Sequence, residues 1–284
     1  MGFFSKKKKE ADNTPQFPAE YLALVEKWDT FLEKINNRFN ESLVNAEEAI
    51  LDNLDESNYD LTPTMTAWQG IKAQLRGLSN KIDETFDNKV KPQMLDYVPE
   101  YETIDESIKG GKLRSSIYHR IERFEIVLEG KVSQQFYNHA IQHFNLDFHC
   151  TQCSAKITVN KNIFHAHYVS CEYCNTVNTF TPNDKIAAIR WVVENIAKYK
   201  ALPEWDLMQK AQNDFHEIRP PHEGRDNAEY VAAYKKREDT ERAFWTKYFT
   251  ERSEYLHQYK ETITHDVDDK MKWFYEERKR ELDY

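Results

Sequence analysis

Residues 148–181 read FHCTQCSAKITVNKNIFHAHYVSCEYCNTVNTFT and hold all four cysteines of the 284-residue chain. The cysteines form two C-x-x-C pairs, Cys150/Cys153 and Cys171/Cys174, separated by residues 154–170. This spacing suits a tetrahedral metal site. Each C-x-x-C makes a tight turn that aims two sulfurs at one point, and the residues between suffice for a hairpin that brings the turns together. With four protein ligands, an ion held there has no open position, so it braces a shape rather than performing chemistry. One structural Zn2+ is the expected cofactor. A rubredoxin-type iron would use the same four thiolates, and that choice stays open. The main rival is a pair of redox-active C-x-x-C disulfides, but neither pair has the strand–CxxC–helix context such chemistry uses.

Alternation of Ile157 and Val159, then of Phe164, Ala166 and Tyr168 beyond Asn160-Lys161-Asn162, then Val177 and Phe180, predicts three short strands. Taken with the two cysteine turns, residues 148–181 resemble the zinc-ribbon family, whose metal is carried by paired turns on a small antiparallel sheet. The resemblance covers this stretch alone. Ser154-Ala155 and Asn175-Thr176 stand where such turns often carry glycine or proline, and asparagine tolerates the positive φ that Asn175 would need. Histidines crowd the region: His139, His143, His149, His165 and His167. His139 and His143 are four apart, but Ala140 occupies the place of the glutamate in H-E-x-x-H, so no metalloprotease follows. Packing or surface roles are expected for all five.

Working outward, the chain reads as mostly α: long antiparallel coiled-coil-like helices with the small β zinc ribbon inserted. Residues 1–17 form a basic lead. Residues 18–91 read as a helical hairpin. Its apolar positions Tyr21, Val25, Trp28, Leu32, Ile35, Phe39, Leu43, Ala46, Ile50 and Leu54, then Met65, Trp68, Ile71, Leu75, Leu78, Ile82, Phe86 and Val90, recur at steps of three and four. Thr62-Pro63 looks like the cap of its second arm. Pro92 and Pro99 bracket a break, and residues 92–111, ending in Gly110-Gly111, read as a linker. A helix over 112–147 leads into the ribbon, with Gly130 as a weak point in it. Residues 182–218 hold two short helices, opened by Thr181-Pro182 and Pro203. Residues 225–284, in which no glycine or proline follows Asp226, read as one long C-terminal helix whose apolar line is interrupted at Arg252. A helix that long, on the order of 90 Å, needs partners along its length.

Composition narrows the function classes. Charged residues make up 31% of the chain, aromatics 13%, and there are only 7 glycines, a balance that suits exposed helices with large side chains to pack. A net charge of −9 disfavours non-specific nucleic-acid binding. Lys112, Arg114, Arg120 and Arg123 nevertheless form the one locally basic face that could contact phosphates, though Glu122, Glu125 and Glu129 dilute it. Phe3, Phe4, Lys6, Lys7, Lys8 and Lys9 would make a weak contact with an anionic membrane surface. No apolar run is long enough to span a bilayer. MGFFSKKKKE lacks a secretory signal, and Lys6 breaks the myristoylation pattern. Paired C-x-x-C motifs in that setting point to a reducing cytoplasm. Phosphate-cradling glycine loops and nucleophile elbows are absent, so neither an enzyme nor a small-molecule substrate is expected. The expectation is a cytoplasmic structural or adaptor protein that associates with itself or with a protein partner. The alternative is a nucleic-acid-associated factor that uses the ribbon and the 112–123 face.

Overall fold

The computed structural model describes residues 17–142, 148–159, 163–164, 166–182, 184–218 and 227–282. Helices dominate: α1 (Ala19–Glu56), α2 (Leu61–Thr85), α3 (Lys91–Met94), α4 (Ile104–Gln142), α5 (Asp184–Lys200), α6 (Leu202–Glu217), α7 (Ala228–Tyr255) and α8 (Ile263–Leu282). Between α4 and α5 lie four short strands, β1 (Phe148–His149), β2 (Lys156–Ile157), β3 (His167–Ser170) and β4 (Val177–Phe180), paired as two antiparallel two-stranded sheets. The mostly α class with an inserted small β region is therefore observed. The described residues fall into two compact units: 17–46 with 68–121, and 47–67 with 122–282.

In the first unit the three-and-four spacing becomes a buried stripe. Trp28, Phe39, Leu75, Ile82, Ile117 and Ile121 are almost wholly removed from water. The Trp28 indole N–H donates to the Glu106 carbonyl at 3.1 Å, so this large core side chain leaves no polar group unsatisfied. The linker expected over 92–111 is a different object. Pro92, which lacks an N–H, is accommodated by the wider π-turn Phe86–Val90, where the Lys91 N–H reaches back to Phe86. The break is confined to residues 95–99. Helix α4 then starts at Ile104 and runs straight through Gly110-Gly111. The reason is packing: a Cβ on Gly110 would lie 2.9 Å from Trp28 Cζ2 and 3.2 Å from Ile82 Cγ2. Gly110 marks close approach, not a turn.

In the second unit the turn between α1 and α2 is made by Asn58 and Tyr59, both left-handed at φ 53° and 60°. Asp60, not Thr62, caps α2: its Oδ1 accepts the Thr62 N–H at 2.9 Å. Gly130 does not interrupt α4, because its missing side chain admits Tyr199 of α5; a Cβ there would sit 2.2 Å from Tyr199 Cβ. Phe136, Ala140, Ile186, Ile189, Val193, Ile196 and Leu256 form one hydrophobic cluster of this unit.

The long C-terminal helix expected over 225–284 is instead a hairpin. Asn227 caps α7 by accepting the Glu229 and Tyr230 N–H groups. The helix stops at Tyr255, Leu256 leaves helical geometry at φ −121° and ψ 73°, a 3-10 segment (His257–Thr262) follows, and α8 folds back. Arg252 meets Asp266 (2.8 Å), Arg242 meets Asp268 (3.1 Å) and Arg278 meets Glu238 (3.1 Å), a register that fixes α7 and α8 as antiparallel. A lone helix of that length would leave its apolar line in water. Folding back buries Phe249, Val267, Met271 and Phe274 against one another, while Leu256 plugs into the cluster under α5.

Candidate metal centre

Each C-x-x-C proves to be the turn of its own hairpin. Cys150–Cys153 lie between β1 and β2, which pair Phe148 with Ile157 and His149 with Lys156. Cys171–Cys174 lie between β3 and β4, which pair His167 with Phe180 through Ser170 with Val177. The hairpin expected between the pairs around Asn160-Lys161-Asn162 falls on residues that lie outside those described. The two turns are built alike. The Cys150 N–H donates to Ala155 O (2.8 Å) and the Ser154 N–H to Cys150 O (3.0 Å). In the second turn Cys171 N–H donates to Thr176 O (2.9 Å) and Asn175 N–H to Cys171 O (2.9 Å). The geometry puts Ser154 at φ 58° and Asn175 at φ 57°. Asn175 occupies the left-handed position expected of it, and Ser154 takes the same conformation in the first turn.

The turns bring all four Sγ atoms within 4.8 Å of one another. Cys150 and Cys174 sulfurs are 3.5 Å apart, and those of Cys153 and Cys171 are 3.7 Å apart. A regular tetrahedron with metal–sulfur bonds of about 2.3 Å has sulfurs roughly 3.8 Å apart. The cluster therefore fits a tetrahedral ion, and the four cysteines are free thiols rather than disulfides. Cys150 and Cys171 are buried beside Ile157, whereas Cys153 faces solvent.

The electrostatics lean the same way. The Cys153 backbone N–H, the largest influence, lowers the Cys150 thiol to about 6. Hydrogen bonding to Thr176 lowers Cys174 as well. Cys153 moves oppositely, to about 12: the Ala155 N–H pulls it down, but the sulfurs of Cys174, Cys171 and Cys150 together with desolvation push it up further. The cluster gives up its first protons readily and resists losing the last, because negative sulfurs accumulate in contact. A cation at the centre removes that resistance.

Asn178, which the sequence reading missed, ties the centre together. It is 2% exposed on β4. Its Oδ1 accepts from the Thr151 N–H at 2.8 Å and from Thr151 Oγ1 at 3.0 Å, which anchors the first turn. Its Nδ2 donates to Thr176 O of the second turn (2.9 Å) and lies 3.6 Å from Cys150 Sγ. The clue in the sequence was phase: Asn178 alternates with Val177 and Thr179 and shares the inward face with Phe180, a poor place for a lone amide. Phe180 stacks edge-on against Phe148 at 5.5 Å, joining the two sheets.

The basic face of α4 is mostly occupied. Arg114 pairs with Asp83. Arg120 bonds Asn36 and Asn40 and lies 4.6 Å over the Phe39 ring. Arg123 grips Asp206 with two nitrogens at 2.9 and 3.0 Å, and Lys112 is exposed. His139 stacks on Tyr59 at 3.9 Å and faces Lys185 Nζ at 2.9 Å, so it is engaged in packing. His149 is exposed and His167 leans on Phe180. His143, His165, Phe3, Phe4 and Lys6–Lys9 lie outside the described residues. Among the described residues no helix is long and apolar enough to cross a membrane. No protein-family model, curated protein or solved structure matches the chain.

Proposed function

We propose that residues 148–181 form a zinc ribbon holding one structural Zn2+, and that the chain is a non-enzymatic adaptor whose ribbon docks on a protein partner in a reducing compartment. The observation that carries this reading is the convergence of four cysteine sulfurs within 4.8 Å: an ion bound by all four would have no coordination site left for a substrate or an activated water. What such a centre supplies is rigidity for a segment too small to hold its shape by a core of its own. On that braced segment Tyr168 and Tyr173 are 78% and 79% exposed, and Val177 is 60% exposed. Tyr168 and Val177 share the outward face of the β3–β4 sheet. Exposed tyrosines on a stiff frame are what protein interfaces use as anchors. Nucleic-acid binding takes second place because Arg114, Arg120 and Arg123 already have partners within the chain.

The test is affinity capture from lysate of the native cell with and without nuclease treatment, using wild-type protein beside Tyr168→Ser/Tyr173→Ser. The expected result is a protein retained by the wild type and lost from the variant. Retention that disappears on nuclease treatment, and weakens with Arg114→Glu/Arg120→Glu and with salt, would favour nucleic acid instead.

A further inference from the structure

Helices α5, α6, α7 and α8 of the second unit enclose a cleft of about 450 Å³, within the range of small-molecule sites. Its floor is apolar, with Trp205, Phe244 and Phe249 buried. Trp245 and Tyr248 rise from α7 as half-buried walls, their rings 5.6 Å apart and nearly perpendicular. Both rings flank two separate hydrophobic clusters, so the cleft is a gap that neither cluster fills.

The rim has the opposite character. Lys198 of α5 and Lys270 of α8 are exposed there, and neither forms an ion pair among the described residues; Lys270 Nζ sits 4.7 Å over the Trp245 ring. Arg252 lines the wall. Its Nη2 is taken by Asp266, but its Nε–H is buried with no hydrogen-bond partner. Glu194 is the one acid of the lining. Burial, followed by the Glu194 charge, pushes the Tyr248 hydroxyl up to about 12, so it stays a neutral donor. Two exposed ammonium groups with no ion-pair partner, beside an aromatic wall and on a chain of net charge −9, make the rim of this cleft attractive to anions. Aromatic walls favour a flat ring over an alkyl chain, because ring edges and faces complement one another.

We propose that the α5–α8 cleft is a binding site for a small aromatic anion, its ring against Trp245 and Tyr248 and its carboxylate, sulfonate or phosphate at Lys198 and Lys270. The probe is 8-anilinonaphthalene-1-sulfonate, titrated by fluorescence with excitation of the cleft tryptophans and compared with neutral N-phenyl-1-naphthylamine and with decanoate as competitor. One saturable equivalent is expected, with the neutral analogue binding at least tenfold more weakly and decanoate competing poorly. Lys198→Glu/Lys270→Glu should weaken the sulfonate at least tenfold and leave the neutral analogue within twofold. Both lysines are exposed, so the fold should survive, as circular dichroism would verify; Lys198→Gln/Lys270→Gln gives the same test with a smaller expected loss. Non-saturable binding, equal affinity for the charged and neutral probes, or indifference to both lysine variants would overturn the proposal.

Discussion

Arg237 is 6% exposed, yet it is charged. Its guanidinium lies 4.6 Å from the Phe274 ring centre and 5.0–5.1 Å from those of Trp273 and Phe215, and it pairs with Glu277 at 2.9 Å. Removing one partner of a buried pair strands the other, so Arg237→Met should cost about 3–5 kcal/mol in denaturant unfolding, with Arg237→Met/Glu277→Leu recovering most of the loss. Glu241 gives a pH test. Burial, the largest effect, raises its carboxyl, despite the Trp245 N–H that it accepts at 2.7 Å and the nearby Arg237. A raised acid favours the folded state below its unfolded value of about 4.3, and that contribution is lost as pH climbs through the folded value. Glu241→Gln keeps the acceptor for Trp245, so it should raise the melting temperature at pH 7 and change nothing below about pH 4. At the metal centre, Asn178→Ala should weaken metal binding by about 10–100-fold in a chelator competition, since groups that orient ligands typically matter that much. The convergence of the four cysteines was legible because their spacing alone demands it. Asn178 was not, because its role depends on which strands pair.

Among the elements, glycines separate what sequence can and cannot convey. Gly110, Gly111 and Gly130 all read as weak points, yet all three lie inside α4. Glycine looks alike in sequence whether it frees the backbone or makes room for a neighbour, and only the fold reveals Trp28 against Gly110 and Tyr199 against Gly130. Opposite outcomes follow from one chemical change. Gly111→Ala, with nothing within 4 Å, should stabilise by about 0.5–1 kcal/mol through helix propensity. Gly130→Ala should destabilise by about 1–3 kcal/mol, because the new methyl collides with Tyr199. Thermal melts of the two variants give the signs directly. The α7–α8 turn escaped notice for a related reason: no glycine or proline marks it, and the one irregularity, Arg252 in the apolar line, turns out to be the residue that grips Asp266 across the hairpin. The seams of α1 and α2 were legible throughout, because three-and-four spacing survives whatever the helix packs against.

For the molecule as a whole, the small β insertion and the helices should respond differently to loss of metal. Sheets of two-residue and four-residue strands hold little core beyond Phe148, Ile157 and Phe180, whereas α5–α8 share large apolar clusters. Removing metal with a chelator should therefore abolish amide-exchange protection across 148–181 and leave far-UV helicity nearly intact. The most direct test of the account is X-ray absorption at the zinc edge on the full chain purified without added metal. One zinc per chain with four sulfur neighbours at about 2.3 Å is the result expected. Iron in place of zinc, nitrogen or oxygen among the four neighbours, or a chain that carries no metal would contradict it.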